Sequence, residues 1–320
     1  MPLGELELIE KFFKGLTASR SDVVIGIGDD AAVLAPPPGH ELVVSADMLV
    51  AGVHFFEDAA PFDVGFKSLA VNLSDMAAMG AEPRWATLAL SLPRADSVWL
   101  DAFSRGLAHL AGRFQVALVG GDLASGPLTV SVQILGVVPR GAALRRDRAR
   151  PGDLVFVTGE LGAAGFALEA LKHGSDPRSI APACLERLLR PLPRVAAGQR
   201  LRAVADAAID VSDGLVSDLG HIVAASGVAA EVDLERIPLP LAMGPPPPDS
   251  DDWRIALATG DDYELCFTVS PGRAEAVTSV LQGVGHPVTC IGRILAGDGI
   301  RWKLPDGSDL EAGWSGYRHF

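Results

Sequence analysis

Five short acidic signals carry the chemistry open to this sequence: Gly28-Asp29-Asp30, Ser45-Ala46-Asp47, Leu73-Ser74-Asp75, Gly120-Gly121-Asp122 and Asp210-Val211-Ser212-Asp213. Each lies where a predicted element begins or ends, or beside the apolar stripe of a predicted helix. Carboxylate and hydroxyl oxygens on loops suit a hard cation such as Mg²⁺, which keeps part of its water shell and bridges substrate phosphates. So many carboxylates gathered together would repel one another unless metal compensates them. A polyphosphate substrate would complete the charge balance. The expected chemistry is phosphoryl transfer from a nucleoside triphosphate held through several magnesium ions.

Read singly, each signal has a plainer account. Gly-Asp pairs are common turn residues, and Asp213 ahead of Gly214 can cap a helix. Asp75 shares a polar line with Ser68 and Asn72, which a solvated helix face explains nearly as well. Asp47 and Asp122 both follow predicted strands, where sheet proteins place ligand groups. His54, in Gly52-Val53-His54-Phe55, is on spacing alone more often structural than functional. Arg145 and Arg146 suit bidentate phosphate contact, although a solvated linker is the more frequent reading. Glu264, at the end of Gly260-Asp261-Asp262-Tyr263-Glu264, reads as an edge charge beside a strand. The aromatic tail Trp314-Ser315-Gly316-Tyr317-Arg318-His319-Phe320 can pack on a core as easily as cover a ligand.

The elements that must position these residues follow from periodicity. Leu6, Ile9, Phe12, Phe13 and Leu16 repeat at helical spacing, as do Phe66, Leu69, Ala70, Leu73, Met76 and Ala77, with Gly80 as the expected C-cap. Strands are expected over 41–46, 85–92, 116–119 and 128–138, the third ending at Gly120-Gly121-Asp122, and a helix over 98–114. The Arg/Pro/Gly stretch 145–152 is the expected boundary between domains spanning 1–148 and 149–320. Beyond it strands are expected at 154–158, 207–211, 263–269 and 288–294. Helices are expected at 163–171, 183–189, 195–204, after Gly214 to 225, and at 273–282, with an exposed loop at 245–248. The pattern is two α/β or α+β domains of mixed element order.

Composition bounds the rest. The chain has 320 residues, 48% hydrophobic and 21% charged, which suits a folded protein with a large core. Its net charge of −13 argues against wrapping nucleic acid. Only Lys11, Lys14, Lys67, Lys172 and Lys303 are lysines, and none follows glycine, so a phosphate-binding P-loop is absent. The kinase catalytic-loop and Asp-Phe-Gly signatures are absent too. Cys184, Cys266 and Cys290 form no Cys-x-x-Cys and read as reduced, core-filling thiols. The acidic start lacks a signal peptide, and no apolar run is long enough for a bilayer, so a cytoplasmic protein without a membrane partner is expected.

The motifs resemble the thiamine-monophosphate kinases, of the superfamily that includes aminoimidazole ribonucleotide synthetase, selenophosphate synthetase and a hydrogenase-maturation protein. The matching stretches are GIGDDAAVL (26–34), SADMLVAGVHF (45–55), KSLAVNLSDMAAMGAEP (67–83), GGD (120–122), IDVSDGLVSDLGHI (209–222), GDDYELCFTV (260–269) and GYRHF (316–320), in the same order across nearly the whole chain. The resemblance implies ATP-dependent phosphorylation of thiamine phosphate to thiamine diphosphate by direct transfer, without a phosphoenzyme. Asp30, Ser45, Asp47, Asp75, Asp122, Asp210 and Asp213 match the family's magnesium positions. Gly121, Asp122, Arg146 and Ser212 match its ATP contacts, and His54, Glu264 and Phe320 its contacts to thiamine phosphate. Asp47 and Asp122 are expected to anchor the metals nearest the transferred group. The implied fold is an N-terminal α/β domain that dimerises through its sheet and a C-terminal α+β domain, with the active site in the cleft between them. Ala46 and Met48 stand where the family often has hydroxyl residues, an aromatic often seen near Arg105 is missing, and Arg318 replaces a frequent aspartate.

Two rivals share parts of this pattern. Another ATP-dependent synthetase of the superfamily, amide-activating or of the selenophosphate type, would keep the aspartates and change the acceptor pocket. An acidic cation-binding protein is the non-enzymatic alternative, but the EF-hand spacing is absent, and Asp306-Gly307 reads as a hairpin turn.

Overall fold

The computed structural model describes residues 4–17, 19–244, 246–247, 252–285, 287–310 and 313–317. They divide into two compact units, residues up to 76 with 81–142, and residues 77–80 with 143 onward.

The first unit opens with helix α1 (Glu5–Phe12) and a two-stranded antiparallel sheet of β1 (Val23–Ile25) and β2 (Val33–Leu34). Then come β3 (His40–Val50), α2 (Pro61–Ala78), β4 (Glu82–Leu92), α3 (Ser97–Phe114), β5 (Ala117–Ser125) and β6 (Thr129–Pro139). The four long strands lie in the order β3-β6-β4-β5, with only β4 and β5 parallel. One face of this sheet is covered by the helices, where Leu69 of α2 and Leu107 and Ala111 of α3 meet Ala86, Leu88, Leu118 and Val132; on the other, Val23, Ala32 and Leu34 pack against Trp85, Ala117, Val119 and Val137. Helices α2 and α3 touch backbone to backbone, because a Cβ on Gly65 would overlap the Phe103 carbonyl and one on Gly106 the Phe62 carbonyl.

Several boundaries differ from expectation for local reasons. Helix α2 starts at Pro61 rather than 66, since proline's fixed φ suits a first helical turn. It gives way to Gly80, whose φ of 66° is the expected left-handed stop. Strand β3 runs through Val50, so Asp47, like Ser45, lies inside a strand and not after it. Along it, Leu42, Val44, Ala46 and Met48 are exposed, while Val43, Ser45, Asp47 and Leu49 turn to the covered face. Strand β5 likewise continues through Gly120-Gly121-Asp122.

The second unit contains β7 (Leu154–Thr158), α4 (Ala163–Lys172), α5 (Pro182–Leu189), α6 (Val195–Leu201), β8 (Ala207–Val211), α7 (Leu215–Ser226), β9 (Ala229–Asp233), α8 (Asp252–Ala258), β10 (Glu264–Val269), α9 (Ala274–Leu281), β11 (Val288–Leu295), β12 (Ile300–Lys303) and β13 (Asp309–Leu310). Its sheet has the order β13-β12-β9-β11-β7-β10-β8, antiparallel except for β12 beside β9. Strand β9 escaped the sequence reading because Ala229 and Ala230 carry little β preference. Its core joins Val155 and Val157 of β7, Ile209 and Val211 of β8, Leu215, Leu219 and Ile222 of α7 and Cys266 of β10, with Trp314 of the tail packed against it. Cys184 and Cys266 are buried free thiols and Cys290 is half-buried, as expected. Asp306 and Gly307 turn the β12–β13 hairpin. Among the described residues, no helix is long and apolar enough to cross a membrane.

Candidate functional site

The covered face of β3 meets α2 through polar groups. Ser45 Oγ donates to Asp75 Oδ2 at 2.5 Å, and the Asp47 amide donates to Asn72 Oδ1 at 3.2 Å. Ser68 and Asn72 are buried and Asp75 half-buried, so the polar line on α2 is not a solvated face. It faces the strand, and it brings Ser45, Asp47 and Asp75 together. Beyond the strand a tight turn sets His54: the Gly52 amide bonds the Phe55 carbonyl at 2.8 Å, and the Val50 amide donates to His54 Nδ1 at 3.0 Å. A ring that accepts at Nδ1 carries its proton on Nε2, which is then a donor. Asp30 is exposed on the β1–β2 loop. The base of that hairpin is clasped by Asp22, which accepts from Arg20, Arg84 and Trp85. The Arg20 hydrogen bond is the main cause holding the Asp22 carboxyl well below the usual range.

Asp122 is placed differently. A register shift between β4 and β5 pairs Ala86 with Leu118 but Thr87 with Gly120, leaving Val119 as an extra residue. That bulge reverses the alternation. Without it Asp122 would share the covered face with Leu90; with it Asp122 lies beside Ala89 on the exposed face. Gly121 makes the bulge possible, since its φ of 149° and its contact with the Leu88 backbone leave no room for a Cβ. Following the register, Asp47 aligns through Val132 and Leu88 with Gly121. Within one chain Asp122 is therefore three strand spacings from Asp47, about 14 Å, and on the other face.

In the second unit, three loops gather at one end of the sheet, after β7, after β8 and before β10. Ser212 and Asp213 are held there by their backbones. Both amides donate to Asp218 Oδ2, at 3.0 Å each. The Ser212 carbonyl accepts from the Asp261 amide at 2.8 Å, and the Asp213 carbonyl from the Tyr317 amide at 3.1 Å. Asp261 and Tyr263 adopt φ of 64° and 51°, and the Tyr263 hydroxyl bonds Asp261 Oδ1 at 2.8 Å. Such strained, over-determined backbone is frequent at functional sites. Asp213 does not cap α7: the cap residue is Gly214, and the first turn contributes Asp218 instead. Burial, then Asp210 and Asp213, push the Asp218 carboxyl up to about 8. Its signal in the sequence was an acidic residue in a first helical turn, where helix amides attract it.

Glu264 is not an edge charge. It is 0% exposed. Oε2 accepts from Thr158 Oγ1 at 2.7 Å and from Arg194 Nε at 2.6 Å, while Arg194 Nη2 binds Oε1 and Arg187 Nη2 lies 2.9 Å from Oε1. Neither arginine was singled out in the sequence, because each sits in a helical or proline-rich stretch that reads as surface. Arg145 pairs with Asp147 on the surface, and Arg146 is exposed with its carbonyl accepting from Ser226. Phe320 lies outside the described residues.

Among those residues no three His, Cys, Asp or Glu side chains converge closely enough to hold an ion by themselves. A cation of the magnesium type still fits these donors, since it binds through one or two carboxylates and completes its shell with waters and substrate phosphates. The crowding of Asp210, Asp213 and Asp218 is the kind that such a charge relieves.

Two family models match the chain: the N-terminal domain of AIR synthase related protein over residues 28–138, and the C-terminal domain over 150–304. A thiamine-monophosphate kinase of Salmonella typhimurium is 46% identical, covering 100% of this chain and 99% of the relative. The crystal structure of a thiamine-monophosphate kinase from Stenotrophomonas maltophilia superposes with a TM-score of 0.87 at 47% identity, over 95% of this chain and 97% of that one. A structure of AaThiL complexed with AMPPCP and TMP superposes with a TM-score of 0.76 at 32% identity, over 99% and 97%.

Proposed function

The chain belongs to the thiamine-monophosphate kinases, whose members it matches along its whole length, and we propose from this that it phosphorylates thiamine phosphate to thiamine diphosphate with ATP, in a direct in-line transfer. The polar seam of Ser45, Asp47 and Asp75 between β3 and α2 is the observation that carries this reading. Asp30, Ser45, Asp47, Asp75, Asp122, Asp210 and Asp213 serve as ligands for several magnesium ions. Those ions neutralise the phosphates and the spread charge of the transition state, a task no P-loop lysine performs here. Asp47 and Asp122, which lie on opposite faces of the sheet within one chain, anchor the charge nearest the transferred group where a homodimer brings one protomer's Asp122 to its partner's Asp47. Gly121, Asp122, Arg146 and Ser212 serve ATP, and His54, Glu264 and Phe320 serve thiamine phosphate. The proton on His54 Nε2 suits a phosphate oxygen. The attacking phosphate is largely ionised at neutral pH, so no general base is assigned.

In this reading residues 1–148 form the ATP, magnesium and dimerisation domain, and 149–320 the α+β domain. The exposed face of β3, with Leu42 and Val44 at 53% and Met48 at 56% exposure, supports a homodimer formed through the four-stranded sheet. The cytoplasm, where ATP and Mg²⁺ are supplied, is the proposed location. Incubation with ATP, Mg²⁺ and thiamine phosphate tests the function: thiamine diphosphate must appear. No product, together with ATP consumed on an aminoimidazole precursor, would transfer the chain to the synthetases of the superfamily.

A further inference from the structure

We propose that Arg187 is an oxyanion-binding residue, held by the buried Glu264–Arg194 pair so that its guanidinium meets a phosphoryl group of one of the two substrates. The proposal rests on the kinase reading for the identity of those substrates, but its geometry stands on the second unit alone.

Glu264 needs no second cation. Arg194, 2% exposed, grips both carboxylate oxygens, and Thr158 donates to one of them. That arrangement already neutralises the buried charge and occupies its lone pairs. Arg187 nevertheless reaches the same Oε1 with one nitrogen, Nη2. Its side chain is 25% exposed, and among the described residues Nε and Nη1 have no protein partner. Neither nitrogen is sealed away from solvent without a bond.

The other carboxyl close by is Asp262. It is buried, accepts the Gly162 amide at 2.8 Å, and burial drives it well above the usual carboxylate range. Glu160 is exposed to solvent. Two guanidiniums therefore meet on one carboxylate, Glu264, in a chain of net charge −13. An arginine pinned at one nitrogen, with its remaining donors open, is pre-organised for a phosphate and loses little side-chain freedom on binding.

The position is also right. Thr158 ends β7, Glu264 begins β10, and Glu264 pairs with Val211, the last residue of β8. Glu264, the residue that Arg187 binds, thus lies one strand spacing, about 4.8 Å, from the strand whose end carries Ser212 and Asp213.

Arg187→Met keeps the apolar stem and leaves Glu264 with Arg194 and Thr158, so a cooperative melt is expected. Kinetics then decide the source of the phosphate. A KM raised roughly ten-fold or more, the loss expected for a charged hydrogen-bond donor, should appear for thiamine phosphate alone if the acceptor is bound, or for ATP alone if the donor is. Arg187→Lys, which restores the charge without the fork, should recover part of that loss. Calorimetric titration with inorganic pyrophosphate should show binding to wild type and its weakening in Arg187→Met. A folded Arg187→Met enzyme with both KM values within about two-fold of wild type overturns the inference. If wild type forms no thiamine diphosphate, the kinase reading falls instead. The pyrophosphate titration then judges Arg187: equal affinity in both proteins, or binding in neither, overturns it.

Discussion

Asp47 and Asp122 show how far a residue's type can be read without its environment. Both are acidic ends of short motifs, yet one faces a helix and the other the exposed face of the sheet. Asp47→Asn and Asp122→Asn should each lower kcat by about 10² to 10³, as losing a transition-state charge contact does. Circular dichroism and the melting temperature should not change. A variant of near wild-type rate would remove that residue from the machinery. Glu264→Gln should act on stability as well, because it leaves Arg194 buried opposite a neutral amide. Breaking one side of such a pair costs about 3–5 kcal/mol, seen as a lower melting temperature. A melting temperature that did not fall would show the pair to be dispensable to the fold.

Asp262 gives a pH signature. Burial raises its folded value above its unfolded one, so the folded state holds the proton more tightly. That stability is complete below the ordinary aspartate range and is lost as pH rises through the raised value. Asp262→Asn keeps an oxygen for the Gly162 amide and cannot ionise. Wild type and variant should melt alike near pH 4, about the free aspartate value, and the variant should melt higher as pH increases. A gap that fails to widen with pH would contradict a protonated, buried Asp262.

At the scale of elements, two backbone devices place the side chains. The β5 bulge turns Asp122 outward, and α2 and α3 approach through Gly65 and Gly106. Two glycines in the same helix separate packing from propensity. Alanine is the better helix former by about 1 kcal/mol, so Gly112→Ala, where a Cβ would meet nothing within 4 Å, should raise the melting temperature. Gly106→Ala should lower it, since the new methyl overlaps the Phe62 carbonyl. Thermal melts of the pair decide; equal shifts would mean that the helices do not need this close approach. The long helices and most strands of the core were legible because their apolar spacing matches a helical or strand period. The bulge was not, since Gly120-Gly121 serves a turn and a strand equally well. The continuation of β3 past Ala46 was hidden for a related reason: polar residues inside a strand look like its end until a helix is found to satisfy them.

For the whole molecule, the unpartnered apolar face of β3 predicts assembly. Val44→Glu with Met48→Glu should leave a folded monomer in sedimentation velocity, where the parent is expected to sediment as a dimer. An unchanged sedimentation coefficient would place any interface elsewhere. The sequence alone determined the family and its reaction, because ordered motifs spread over seven stretches survive without any knowledge of contacts. It also determined that no P-loop operates and that the chain builds two mixed α/β units, since glycine-lysine pairs and apolar periods are local properties. Tertiary structure alone decided which face each aspartate occupies, that Glu264 is buried and doubly paired, that Asp218 holds the Ser212–Asp213 amides, and that Arg187 keeps open donors. Those outcomes depend on partners distant along the chain, such as Thr158, Arg194 and Glu264. Burial and hydrogen bonding are set by what the fold brings close in space, and a local pattern carries no record of it.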